Sequence, residues 1–100
     1  MTKFVALHRS DRPEKKWMVE LKTAAGRSKT IHFGDANLKD YTLHNALVRE
    51  EHKRRYLARH KATENWNDPE SAGFWSRWLL WGDTPSVREN LRRTIRRFGL

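Results

Sequence analysis

The 100-residue chain contains no cysteine. That excludes a disulfide framework and any thiolate-bound metal centre, and it fits a reducing compartment or a virion. The apolar run at the N-terminus, Phe4 to Leu7, is too short for a secretory leader. No stretch approaches the length of a membrane span. There is no HExxH motif and no paired Cys/His spacing. No glycine-rich phosphate loop is present, and Gly26 and Gly34 read as turn glycines. Proline is scarce: Pro13 marks a turn, and Pro69 and Pro85 read as helix starts. Neither an internal repeat nor a low-complexity run breaks the chain, so residues 1–100 read as one small basic domain with one modest core.

What the chain has in excess is positive charge. Its net charge is +9, which calls for an acidic partner: nucleic acid, an anionic surface or an acidic protein. Residues 49–61 carry six Lys/Arg against two Asp/Glu, and residues 86–100 carry five against one. Between them, residues 62–85 carry one against four. Two basic blocks therefore flank an acidic, aromatic segment.

That segment holds Ala72-Gly73-Phe74-Trp75-Ser76-Arg77-Trp78-Leu79-Leu80-Trp81-Gly82, with three of the five tryptophans. In a helix, Phe74, Trp78 and Trp81 share one face, and Trp75 and Leu79 widen it. So apolar a helix needs cover on most sides and reads as the central pin of the fold. Upstream, Trp17, Val19 and Leu21 alternate with Met18, Glu20 and Lys22 as in a half-buried strand. Ile31 and Phe33 belong to a second strand paired with it as a hairpin, and residues 3–8 offer a short further strand. A helix is predicted from Ala46 to His60 with Asn45 as its cap, and with Leu47, Tyr56 and Leu57 toward the core. Glu50–Arg54 and Glu51–Arg55 are spaced as ion pairs along it. Asp68-Pro69 should start the tryptophan helix, and Thr84-Pro85 a last helix ending at Phe98, with Gly99 as its stop. Val87, Leu91, Ile95 and Phe98 form its apolar stripe. The expected class is α+β: an N-terminal β-hairpin or three-stranded antiparallel sheet, then three helices.

Phe33-Gly34, Asp40-Tyr41-Thr42-Leu43-His44, Arg55-Tyr56-Leu57-Ala58-Arg59-His60, Asn65-Trp66, the tryptophan block and Arg97-Phe98 occur in that order. The string resembles a small, basic, uncharacterised protein family of large DNA viruses of algae and protists. The resemblance implies a virion or infected-cell location and brings no catalytic or binding residues with it.

The candidate binding residues are the two basic clusters. Lys53, Arg54, Arg55, Arg59 and Lys61 form one, and Arg88, Arg92, Arg93, Arg96 and Arg97 the other. Guanidinium groups suit planar, bidentate contacts to phosphate or carboxylate. Two bland readings compete: solvated helix faces, or pairing of these arginines with Glu64, Asp68, Glu70 and Asp83 inside the molecule. The tryptophans could stack bases, but their spacing and apolar company favour the core. Trp66, between two asparagines, is a candidate exposed partner contact. Asp40 and His44 could meet as an acid/base pair, although Asp40, Thr42 and His44 read better as residues that hold a loop. No element places Asn, Gln or Arg for base-edge readout. The functional expectation is a non-enzymatic module without cofactor or metal. It would bind nucleic acid, DNA before RNA, with little sequence preference. The alternatives are a minor capsid or assembly protein docking on acidic virion proteins, and a small nuclease-like enzyme built on Asp40 and His44.

Overall fold

The computed structural model describes residues 1–100. Three strands, β1 (Lys3–Arg9), β2 (Lys15–Lys22) and β3 (Ser28–Asp35), form one antiparallel sheet in the order β1-β2-β3. The alternation read in the sequence sets the inner face: Val19, Leu21, Ile31 and Phe33 are buried, and Phe4, Leu7 and Trp17 pack beside them. Opposite residues pair by type, Leu7 with Val19 and Val19 with Ile31, which is where cross-strand contacts stabilise a sheet. A bulge between Phe4 and Ala6 corrects the register, so that Phe4 and Leu7, three residues apart, both face inward. It leaves Val5 exposed.

The tryptophan segment lies on this face, but not as one α-helix. It begins at Ala72, where the Ser71 hydroxyl accepts the Phe74 N–H, and not at Asp68-Pro69. Helix α2 (Ala72–Trp75) passes into a π-helical turn, Ser76–Leu80, closed by the Trp81 N–H donating to the Ser76 carbonyl. The wider turn changes which residues share a face. Phe74 and Leu79, and Trp75 and Leu80, are buried at intervals of five, while Trp78 turns partly outward. Trp75, with no exposed surface, sits centrally. Its ring lies 5.0 Å from Phe74, 6.3 Å from Phe4 and 6.5 Å from Phe33, and its indole N–H donates to the Pro69 carbonyl.

Helix α3 (Val87–Phe98) covers the other side of this segment, with Phe98 edge-on to Phe74 at 4.8 Å. Its cap is Ser86, whose hydroxyl accepts the Glu89 N–H, and it ends on Gly99 in the left-handed region. The residues it buries are Asn90 and Thr94. Val87, Leu91 and Phe98 pack at the core margin, and Ile95 is only half-buried. Asn90 donates to the Leu79 and Thr84 carbonyls and accepts from the Thr84 N–H and hydroxyl. This amide thereby satisfies the orphan groups at the end of the π turn. Gly82 is needed beside it: a Cβ there would strike the Trp78 carbonyl and come within 2.8 Å of the Asn90 amide.

Helix α1 (Arg49–His60) starts three residues later than predicted. Asn45 does not cap it; its side chain accepts from Leu47 in a preceding turn, and the cap position is Val48. Leu47 is 95% exposed rather than in the core, because that turn aims it into solvent. Tyr56 is the residue α1 buries, and Leu57 packs at the margin. Glu50 bonds the Tyr41 hydroxyl instead of Arg54, so Glu51 holds both Arg54 and Arg55.

Candidate functional site

Nine of the ten cations nominated from the sequence stand in solvent: Arg54, Arg55, Arg59 and Lys61 on or just after α1, and Arg88, Arg92, Arg93, Arg96 and Arg97 on α3. The amphipathic pattern of α3 places them there, since its packed positions are Asn90 and Thr94. Lys53 is different. Its side chain is 14% exposed and reaches the Gly82 carbonyl at 2.9 Å and Asp83 at 3.4 Å, so it ties α1 to the turn before α3.

The exposed arginines do not fold back on the acidic segment. Glu64 binds His60 and the Trp66 indole, Asp68 caps the Glu70 N–H, Glu70 pairs with Lys29, and Asp83 with Lys53. Four of these arginines find a carboxylate on their own helix. Glu51 pairs with Arg54 and Arg55, and Glu89 with Arg92 and Arg93. The bond from Arg54 holds the Glu51 carboxyl below its usual range, and Arg92 does the same to Glu89. Such surface pairs are weakened by salt and exchange readily for another anion.

Trp66 is not an exposed contact. It is half-buried, its N–H donates to Glu64, and its carbonyl accepts the Trp78 N–H. The Arg77 guanidinium lies 5.4 Å from its ring and 4.3 Å from the Trp78 ring, and Arg97 also lies 4.3 Å from Trp78. Cations and indoles thus stabilise one another along this edge. Burial lowers the pKa of Arg77 from its ordinary value.

Asp40 and His44 form no acid/base couple. The Asp40 carboxylate, 3% exposed, accepts from Lys16 at 2.7 Å and from the Thr42 N–H and hydroxyl, and so organises the 35–44 loop. The His44 ring instead stacks on His52 at 3.9 Å and lies 6.2 Å from Trp81. Trp81 stacks on Tyr56 at 4.6 Å, and Tyr56 on His60 at 4.3 Å. Five rings, His52, His44, Trp81, Tyr56 and His60, therefore run along α1, and all border a cleft of about 560 Å3 between α1, the 34–44 loop and the tryptophan segment. Burial lowers the His44 pKa, with His52 and Lys39 adding to the effect, and burial raises that of Tyr56. No group of three or more His, Asp or Glu side chains is placed to hold a metal ion.

The sequence reading missed this ring array because its members come from three segments. The only linear trace is the spacing of His52, Tyr56 and His60 at i, i+4 and i+8. It also missed Ser10, whose hydroxyl lies 2.8 Å from His32 Nδ1, with Asp11 3.9 Å from the other ring nitrogen. The Ser10 oxygen also accepts the Arg12 N–H, so this group closes the β1–β2 turn.

No helix is long and apolar enough to cross a membrane. Comparison with curated proteins finds no match, and comparison with solved structures finds none either. A family model described as a family of unknown function, DUF5754, matches residues 5–60, which span the sheet, the 35–48 connection and α1. The matched residues thus include four of the five rings and the three lysines that border the cleft, Lys15, Lys16 and Lys39, and this chain belongs to the DUF5754 family.

Proposed function

We propose that the protein is a non-enzymatic module that binds nucleic acid, DNA before RNA, through the arginines of α1 and α3. The observation that carries this reading is α3. Five arginines stand in solvent on twelve residues, with Glu89 as the helix's only carboxylate. A helix needing only solubility has no use for so one-sided a charge, whereas a phosphate lattice is neutralised by it. Recognition would follow charge and shape, since none of these side chains is held in a fixed fork by a buried partner. The setting that the sequence resemblance implies, a virion or infected cell, is part of the same proposal.

The test is fluorescence anisotropy of labelled duplex and single strand across a salt series. Log affinity should fall linearly with log salt, and reversing Arg92 and Arg96 to Glu should weaken binding to every sequence alike and flatten the slope by roughly two. Absence of binding at low salt, or affinity indifferent to salt, refutes the reading. A salt-sensitive acidic protein partner without any nucleic-acid binding would favour the assembly-protein alternative.

A further inference from the structure

The side of helix α1 that borders the cleft carries His52, Arg55, Tyr56, Arg59 and His60, at i, i+3, i+4, i+7 and i+8, with the two arginines at its solvent edge. A helix docked for stability alone places aliphatic side chains at those positions. Here Tyr56 alone is buried, and the cations and imidazoles border open space of about 560 Å3. That is within the roughly 300–1,000 Å3 range of small-ligand clefts.

Two kinds of group meet in it. One is aromatic and apolar: Phe33, Leu80 and Trp81, with Tyr56 stacked on Trp81. Trp66, Trp75 and Trp78 each donate their indole N–H within the protein, but the Trp81 indole N–H and the Tyr56 hydroxyl make no such bond, although these residues are 9% and 6% exposed. Neither atom is sealed from solvent, so both stay open to a partner in the cleft, as indoles and phenols with one apolar and one wet end do. The other kind is cationic. Of the bordering carboxylates, Asp40 is neutralised by Lys16, Glu64 is held by His60 and Trp66, and Asp35 accepts a backbone N–H. Lys15, Lys39 and Arg59 have no carboxylate partner, and Arg55 shares Glu51 with Arg54.

We infer that this cleft takes a single nucleotide, its base against the rings and its phosphate among Lys15, Lys39, Arg55 and Arg59. Planar, ring-stacking chemistry beside an unneutralised cationic rim suits a base joined to a phosphate better than a bare anion, which has no use for the apolar floor. The nucleotide can be free or an unstacked member of a single strand. The site shares Arg55 and Arg59 with the surface proposed above but needs nothing from α3.

Proton–nitrogen correlation spectra of the full chain test it, with the Trp81 indole N–H as the reporter. AMP, TMP, ribose 5-phosphate, inorganic phosphate and a short thymidine oligonucleotide are titrated separately into wild type. A Trp81 shift that saturates with AMP or TMP identifies the free nucleotide. A shift seen only with the oligonucleotide, and lost when one position is made abasic, identifies an unstacked strand member. The Lys39→Ala/Arg59→Ala variant removes two exposed side chains, and it should weaken the response about tenfold or more, a loss of at least one charge-assisted contact. Tyr56→Phe, which takes away only the unpartnered hydroxyl, should weaken it less. No Trp81 response to any base-bearing probe overturns the proposal. Equal responses to ribose 5-phosphate and to AMP also overturn it, since they describe a simple anion site. Duplex binding measured on the same sample separates the two readings, because a nucleotide response without duplex binding removes only the surface one.

Discussion

Tyr56 and Trp81 stack at 4.6 Å with their planes only 8° apart, and this pair is the main aromatic joint between α1 and the body of the molecule. Tyr56 is the one buried residue of α1, and Trp81 ends the π turn on which the core is built. Tyr56→Ala should therefore cost about 3–5 kcal/mol, the range for removing a buried large ring, whereas Tyr56→Phe should leave unfolding in urea almost unchanged. Loss of α1 helicity in the alanine variant, with the sheet retained, would be visible in hydrogen exchange.

Asn90 is the polar centre of the α3 interface. Its amide serves Leu79 and Thr84 with both donors and accepts twice from Thr84. Asn90→Ala strands several buried polar groups and should destabilise the fold by about 3 kcal/mol or more. Asn90→Asp keeps the acceptor but loses both donations and buries a charge. Its deficit should therefore grow as pH rises through the carboxylate range, as read by thermal unfolding at several pH values.

Gly82→Ala tests close packing without backbone strain. The added methyl would meet the Trp78 carbonyl and the Asn90 amide, and Gly82 does not have positive φ. A loss of about 1–3 kcal/mol is expected from overpacking. At Gly26 the same substitution meets nothing within 4 Å but sits at φ +80, so its smaller deficit should come from backbone strain alone. Paired urea titrations of the two variants separate these causes.

Acid should loosen the His44–His52 stack. The His44 pKa is lowered in the fold by burial, and then by its neighbours His52 and Lys39. The unfolded chain therefore binds a proton more readily than the native one between the depressed value and about 6.5. Stability from this group is complete above about 6.5 and is lost as pH falls toward and through the folded value. His44→Phe retains a ring on His52 and removes the titration, so its melting temperature should vary less between neutral and mildly acidic pH than that of wild type.

Much of the scaffold was legible from local pattern. Strict alternation in β2 and β3 named Val19, Leu21, Ile31 and Phe33, and Gly99 marked the end of α3, whereas its start lies at the Ser86 cap and not at Thr84-Pro85. The tryptophan segment was identified correctly as the pin, but its facing was misassigned. The π turn advances the helix by one extra residue, roughly 100°, and nothing local announces it. Of the two pairs expected along α1, Glu51–Arg55 forms and Glu50–Arg54 does not. Glu50 and Arg54 have ideal spacing, yet Glu50 goes to Tyr41, whose position depends on the 35–44 loop and Lys16.

The sequence by itself determined what is periodic or compositional: the α+β order, the strand faces, the apolar pin and the solvent-facing arginines of α3, because charge and alternation act residue by residue. Only the tertiary structure decided that Lys53 and Trp66 are internal fastenings, that Asp40 answers to Lys16, and that His44 and Trp81 join the α1 rings around a cleft. Those outcomes depend on which distant groups compete for the same hydrogen bond or ring face, and that competition exists only once the chain has closed on itself.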